Sequence, residues 1–326
     1  MTSIYYFIVF GHQFSSHFVL LFLIMATLEL YFDDDDPWII EQKIFDILKK
    51  FLQPNSGICP EAAAQEINDL FPINRKDEQK EDPGSFLWTF WGRFHKTAQQ
   101  IPHADPAQEK MVALVKALRL LSSKEPSVQL ASWHGNYKIW EDLPLFGPTF
   151  REEIDCECLF EILWETVGKI IYIALGFDND EERKRTRNLN AYAARLLREG
   201  SVDLTLFAIQ ALASALEGRS FRTHAHATQF QTDLTFRPGP EFDCMVAISV
   251  DWIFHCGGIL VGKDQHVPGS QKGPLWEEES GLFPERWQLW KARFGEINQT
   301  LNISEETREL AGNARVTMDE LEERNQ

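Results

Sequence analysis

Phe86-Leu-Trp-Thr-Phe-Trp-Gly-Arg-Phe-His-Lys-Thr-Ala98, followed by Pro102 and then by Asp105-Pro106-Ala107-Gln108, decides the fold class. Phe86, Leu87, Phe90, Trp91, Phe94 and Ala98 recur at the three- and four-residue steps of a helix and form one wide aromatic stripe. A strand would scatter them over two faces. Pro102 closes that segment and Asp105-Pro106-Ala107-Gln108 opens another. It offers an acceptor at the N-cap, a proline whose fixed φ suits the first turn, and Gln108 placed to reach back. Met111, Leu114, Val115, Leu118 and Leu121 supply the buried face behind it.

The same rhythm extends in both directions. Upstream, Asp36-Pro37 reads as a helix start, with Ile40, Ile44, Ile47, Leu48 and Phe51 on one face and Pro54 to Gly57 as its stop. A short helix follows Pro60 and ends near Phe71-Pro72, before a charged loop over 74–84. Downstream, 122–150 reads as an ordered aromatic connection carrying Trp133 and Trp140, and 151–175 as a buried helix capped by Gly176. Leu189 to Leu197 predict a helix with Gly200 just past its end, and Leu204 to Leu216 another, rich in alanine. Residues 219–240 and 262–281 read as loops. Met245, Ser249, Trp252, Ile253 and Cys256 mark a helix, although Val246 to Val250 has strand composition as well. After Pro284, Trp287, Trp290, Phe294, Ile297 and Leu301 form a last amphipathic face, and Thr317-x-x-Glu320 suggests a capping box in an acidic tail. No hairpin dipeptide and no strand–helix–strand alternation stands out. The expected fold is all-α: an irregular bundle of about nine helices around an aromatic-rich core, with 31–302 as its body and 303–326 as the tail.

Composition agrees. The chain has 326 residues, 44% of them hydrophobic, with ten Trp and 24 Phe, enough for a sizeable core. Lys and Arg number 32 against 49 Asp and Glu, a net charge of −17 that argues against a nucleic-acid partner and against docking on anionic lipid. Five scattered cysteines are no disulfide framework and read as free thiols in a reducing compartment, pointing to the cytoplasm. Residues 1–30 hold two apolar runs, 4–10 and 18–25, each too short to span a bilayer. They fit a sequence artefact ahead of a true start at Met25, a buried helix, or a signal without its basic flank; the last would imply secretion.

Few strings carry chemistry. Gly257 to Lys263 fits the spacing of a phosphate loop, but Asp264 stands where Ser or Thr would hold Mg²⁺. His224-x-His226 with His255-Cys256, and Cys156-x-Cys158, lack recognised metal or redox spacing. Asp178 to Glu182 lacks the glycine of a calcium loop and reads as an acidic first turn. Arg183 to Arg187 is basic but follows acids. No local signature of nucleophilic catalysis occurs, and no cofactor is implied.

The constellation that stands out mixes aromatics with polar groups: Trp140, Asp142, Arg151, Glu152, Asn188, Asn190, Arg195, Arg286, Trp287 and Trp290. Asn188 and Arg195 share a helical face, as do Arg286 and Arg293. Buried Arg and Asn must be paired, so these groups are expected to bond to Glu152, Asp142 or loop carbonyls. Alternatively they rim an aromatic pocket for a small molecule or peptide.

The same strings resemble a fungal family known as domain of unknown function 3632. The resemblance rests on Phe86 to Trp91, Gln100-Ile-Pro102, Pro106 to Glu109, Trp140 to Pro148 with Arg151-Glu152, Asn188 to Leu196, Leu212-x-x-Ala215-Leu216-Glu217 and Glu285 to Phe294, in the family's order. Cys156–Gly176 is longer and more apolar than the linker expected there, and the segment before Met25 has no counterpart. The resemblance implies a helical protein, sometimes encoded beside secondary-metabolite genes, with no catalytic residues to carry over. Two functions follow as expectations. One is a non-enzymatic interaction or accessory protein with a protein partner. The other is an accessory enzyme or small-molecule-binding protein of secondary metabolism.

Overall fold

The computed structural model describes residues 27–32, 34, 36–76, 80–121, 127–130, 133, 135–154, 179–222, 230–233 and 235–325. The expected helix at 159–175, with its Gly176 cap, and the apolar runs before Met25 lie outside the described residues.

The fold is all-α. Eleven helices among the described residues run α1 (Ile39–Leu52), α2 (Pro60–Leu70), α3 (Pro83–Gln100), α4 (Ala107–Leu121), α5 (Ile139–Asp142), α6 (Phe146–Ile154), α7 (Asp180–Glu199), α8 (Thr205–Leu216), α9 (Pro240–Leu260), α10 (Pro284–Gln299) and α11 (Glu305–Asn325). Three short antiparallel strand pairs were not anticipated: Val128–Leu130 with Gly135–Tyr137, Arg219–Arg222 with Phe230–Asp233, and Gln265–His266 with Gly281–Leu282. Each joins two helices, where a few cross-strand bonds satisfy backbone groups that no helix covers. The strand alternative for Val246 to Val250 is not taken: that stretch is inside α9, with all five residues buried.

Several ends follow local rules. Asn179 accepts from the Glu181 N–H and caps α7, whose first turn holds Asp180, Glu181 and Glu182 against the positive end of the helix. At its other end Gly200 has φ 79° and returns its N–H to the Leu196 and Leu197 carbonyls, a conformation that disfavours a side chain. Other ends depart from expectation. α1 starts at Ile39 behind Trp38 with no side-chain cap, so Asp36 is not its N-cap. Asp105 accepts from the Ala107 N–H at 2.8 Å, but Gln108 does not reach back. Its amide instead donates to the Ile101 carbonyl at 2.7 Å and the Asn188 carbonyl at 3.3 Å, tying α4 to α7. Leu301 lies beyond α10 and is exposed, off the amphipathic face assigned to it.

The acidic C-terminal segment is folded. Thr317 and Glu320 sit inside α11, so no capping box forms there. α11 packs on α9 and α10 through Ala311, Ala314 and Met318. Lys291 on α10 reaches Asp319 at 3.0 Å and Glu322 at 2.6 Å.

α3 packs against α1, α6 and α7; α2 lies against α1 and α4; α7 packs against α9, which also meets α8 and α11. The buried side chains form one continuous core from Leu28 to Met318. Its centre is aromatic: Phe86, Phe90, Trp91, Phe94, Trp140, Phe146 and Phe150 touch edge to face or stacked at 4.6–6.4 Å between ring centroids. Such pairs add about 0.5–1.5 kcal/mol each beyond the area they bury.

Candidate functional site

The ten sequence candidates do not converge. They fall into separate knots, each closing a junction between elements.

The tightest lies under α10. Arg286 and Glu217 are both wholly buried. The guanidinium donates from Nε to Glu217 Oε1 at 2.7 Å and from NH2 to Oε2 at 3.1 Å, while NH1 reaches the Gly281 carbonyl at 2.7 Å. Trp290 Nε1 also donates to Glu217 Oε1 at 2.7 Å, and the Gly273 N–H to Oε2 at 2.7 Å. Four donors therefore fill one carboxylate, which is what keeps a buried ion pair tolerable. Trp287, one residue from this knot, points elsewhere and donates to Glu322 Oε1 on α11 at 2.7 Å.

A second knot joins α7 to the α3–α4 turn. Asn188 accepts from the His103 N–H at 2.7 Å and donates to the Gln99 carbonyl at 2.8 Å. Arg195 donates to the His103 carbonyl at 2.8 Å, to the Ala191 carbonyl at 2.9 Å and to Glu109 at 3.2 Å. Asn190 faces the other way, accepting from Trp252 Nε1 at 3.0 Å and donating to the Thr186 carbonyl at 2.9 Å.

Trp140 is fully buried and donates to Asn68 Oδ1 on α2 at 2.7 Å. Its sequence neighbours are elsewhere. Asp142 is exposed and accepts from the Lys138 N–H at 2.8 Å, and Arg151 and Glu152 are exposed on α6. Neither carboxylate meets Arg195 or Arg286, which pair with Glu109 and Glu217 instead. The correction has a plain cause: Asp142 and Glu152 lie on the outer side of short helices, whereas Glu217 ends an apolar helix that points inward.

The remaining motif strings are structural. α9 runs through Gly257 and Gly258 to Leu260 rather than stopping at the glycine pair, and a Cβ on Gly257 would stand 2.8 Å from Leu321 Cδ1 of α11. The apparent phosphate-loop spacing is thus where two helices cross, and every described strand pair is antiparallel. Arg183 pairs with Asp180, and Arg187 grips Asp251 at 2.7 and 3.1 Å. His224, His226, Cys156, Cys158 and Asp178 lie outside the described residues. Among the described residues no group of three or more His, Cys, Asp or Glu gathers as metal ligands.

The most unusual polar groups lie outside the ten candidates. His95 and Tyr192 are both wholly buried where α3, α6 and α7 meet, with ring centroids 6.4 Å apart. Among the described residues neither imidazole nitrogen and not the Tyr192 hydroxyl has a hydrogen-bond partner. Trp91, Phe146 and Phe150 box the imidazole at 4.8–6.2 Å. Burial holds His95 at about 3, so it is neutral, and keeps the Tyr192 phenol well above its ordinary range. The sequence signal was present but weak: His95 is four residues past Trp91 on an otherwise apolar stripe.

A surface groove of about 420 Å³ runs between α10 and α11, lined by Gln288, Lys291, Glu296 and Arg315 among others. None of the ten candidates lines it.

These knots occupy the segment on which a known family is defined. The model of a family of proteins of unknown function, DUF3632, matches residues 91–294. The chain belongs to this family. The matched stretch of the DUF3632 protein runs from the middle of α3 to the last turns of α10 and contains both the Arg195 and Arg286 knots. No curated protein and no solved structure matches the chain.

Proposed function

We propose that this DUF3632 member is a non-enzymatic interaction or accessory protein. One observation carries the reading: the arginines, asparagines and indole N–H groups that a reaction site would present are bonded inside the fold. General acid–base or nucleophilic catalysis needs a group within hydrogen-bond reach of the reacting atom.

Aromatic surface is left over. Trp38 and Ile39 open α1, 44% and 72% exposed, and Trp133 stacks on Trp88 with 41% of its surface in solvent. Tryptophan is the side chain on which protein interfaces concentrate binding energy. The test is tagged protein isolated from its own host and sized by light scattering. A stoichiometric complex that dissociates in the Trp38→Glu/Trp133→Glu variant is expected. A monomer that turns over a component of the host extract would overturn the reading.

The His95–Tyr192 box favours a second reading, an accessory protein holding a compact apolar molecule with one hydroxyl or carbonyl group. That reading requires a molecule to co-purify in near-equimolar amount and to leave in His95→Leu. Mass spectrometry of denatured native protein that finds none would end it.

A further inference from the structure

Leu28 to Phe32 precede α1 and form no helix or strand, yet they are held as a bound peptide is held. Leu28 and Leu30 are buried and Phe32 packs on the core, while Glu29 and Tyr31 face solvent. That is the alternation of an extended strand. No strand lies beside it: among the described residues no backbone–backbone hydrogen bond reaches residues 27–32. Two glutamine side chains stand in for the neighbours. Gln53, at the end of α1, accepts from the Leu28 N–H at 3.1 Å and donates to the Leu28 carbonyl at 3.2 Å. Gln100, the last residue of α3, does the same for Tyr31 at 2.9 and 3.1 Å. Each carboxamide thus satisfies both backbone groups of one residue, the exchange that pairs residues across an antiparallel sheet. Leu28 and Tyr31 are three residues apart, so an extended chain turns their backbone groups to opposite edges, one toward each glutamine.

Side-chain seats complete the groove. Phe32 meets Phe45 of α1 edge to face at 5.1 Å, and the Arg93 guanidinium of α3 lies 3.9 Å from the Phe32 ring centroid while bonded to Glu41. Arg185 of α7 donates to the Tyr31 hydroxyl and stands 5.5 Å from its ring. The seam between α1 and α3 therefore holds backbone through its glutamines and side chains at alternate positions. Sites that add a strand-like peptide divide affinity from selectivity in the same way. Neither glutamine contact depends on which side chain the seated residue carries.

We propose that the α1–α3 seam is a peptide-binding groove occupied by the chain's own residues 28–32, and that its partner is an extended segment of another protein with apolar side chains at alternate positions, the third of them aromatic. The chain's own segment is then a tethered competitor that the partner displaces. This rests on the interaction-protein reading and gives it a second surface, one that uses neither Trp38 nor Trp133.

The probe is a labelled hexapeptide with the sequence of residues 27–32, followed by fluorescence anisotropy on full-length proteins. In Leu28→Asp/Leu30→Asp the tethered segment no longer seats, and saturable binding with a Kd of about 100 µM is expected. Wild type should bind at least about tenfold more weakly. Adding Gln53→Ala/Gln100→Ala to the opened variant, or N-methylating the tyrosine amide of the peptide, should each weaken binding about tenfold. Wild type supplies a readout that does not depend on any variant folding. Peptide at about 1 mM should speed hydrogen exchange at the Leu28 and Tyr31 amides about tenfold and leave the Phe94 amide unchanged. An opened variant with wild-type helical dichroism that does not bind by about 1 mM overturns the proposal, as does exchange at Leu28 and Tyr31 unmoved by peptide. So does a wild-type dimer that the two aspartates abolish, which would make a second copy the occupant. If the peptide fails while Trp38→Glu/Trp133→Glu still loses its complex, the groove is refuted and the interaction reading stands.

Discussion

Lowering the pH should destabilise this protein through His95, by an amount the structure fixes. The folded protein takes up the His95 proton only near pH 3, whereas an unfolded chain does so near 6.5. Burial is the cause; the Phe146 backbone nearby opposes the shift without forming a bond of ordinary geometry. Through that window the unfolded state binds more protons, so stability is full above pH 6.5 and falls as pH drops. The whole gap is worth about 5 kcal/mol, of which about 2 kcal/mol is lost by pH 5. Against a total of about 5–15 kcal/mol for a natural protein, that is a large fraction. The perturbation is His95→Leu, which removes two unbonded buried nitrogens and keeps an apolar filler. Urea unfolding followed by tryptophan fluorescence at about pH 7.5, 6.5, 5.5 and 5.0 is the assay. Near pH 7.5 the variant should lie within about 1–2 kcal/mol of wild type, because lost ring contacts and relieved polar burial offset each other. Its decline toward pH 5 should be shallower by about 2 kcal/mol, with carboxylates and the other histidines cancelling in the comparison. Parallel curves for the two proteins would refute the reasoning.

Three further outcomes are expected. Glu217→Gln leaves Arg286 buried without its counter-charge and should cost about 3–5 kcal/mol, read as a drop in Tm of about 10 °C; the double change Glu217→Leu/Arg286→Met should recover most of it. Asn188→Ala strips partners from the His103 N–H and the Gln99 carbonyl, and should cost about 1–3 kcal/mol in urea unfolding. Gly200→Ala forces a side chain into a left-handed turn and should cost about 1 kcal/mol by the same measurement, whereas alanine at exposed Asn313 within α11 should not destabilise.

What was legible in the sequence is what neighbours decide. The aromatic stripe of α3, the acidic start of α7 and the Gly200 stop all depend on residues within one or two turns, and all stand where they were read. The rule that buried Arg and Asn must be paired also held, since Asn188, Asn190, Arg195 and Arg286 are each bonded. Their partners were misassigned because pairing across tens of residues is set by packing. Glu217 meets Arg286 only because α8 and α10 lie side by side, and spacing along the chain says nothing of that. Glu152 and Asp142 are nearer in sequence to the candidate aromatics and still face solvent. His95 was hidden for the opposite reason: a histidine at helical spacing among phenylalanines looks like any other core position until its nitrogens are found unbonded. The three strand pairs escaped notice because two to four residues per strand leave too little alternation to detect.

The segment that the family model matches is smaller than the unit that packs together. Cutting at residue 91 would split α3 through its aromatic stripe and discard α1 and α2, whose Ile44, Leu48 and Ile67 are fully enclosed. Cutting at 294 would remove α11 and bare Gly257 and Trp287. Excision at the borders of similarity should therefore yield an aggregating fragment, while a span from Leu28 through Asn325 retains every buried side chain of the described core.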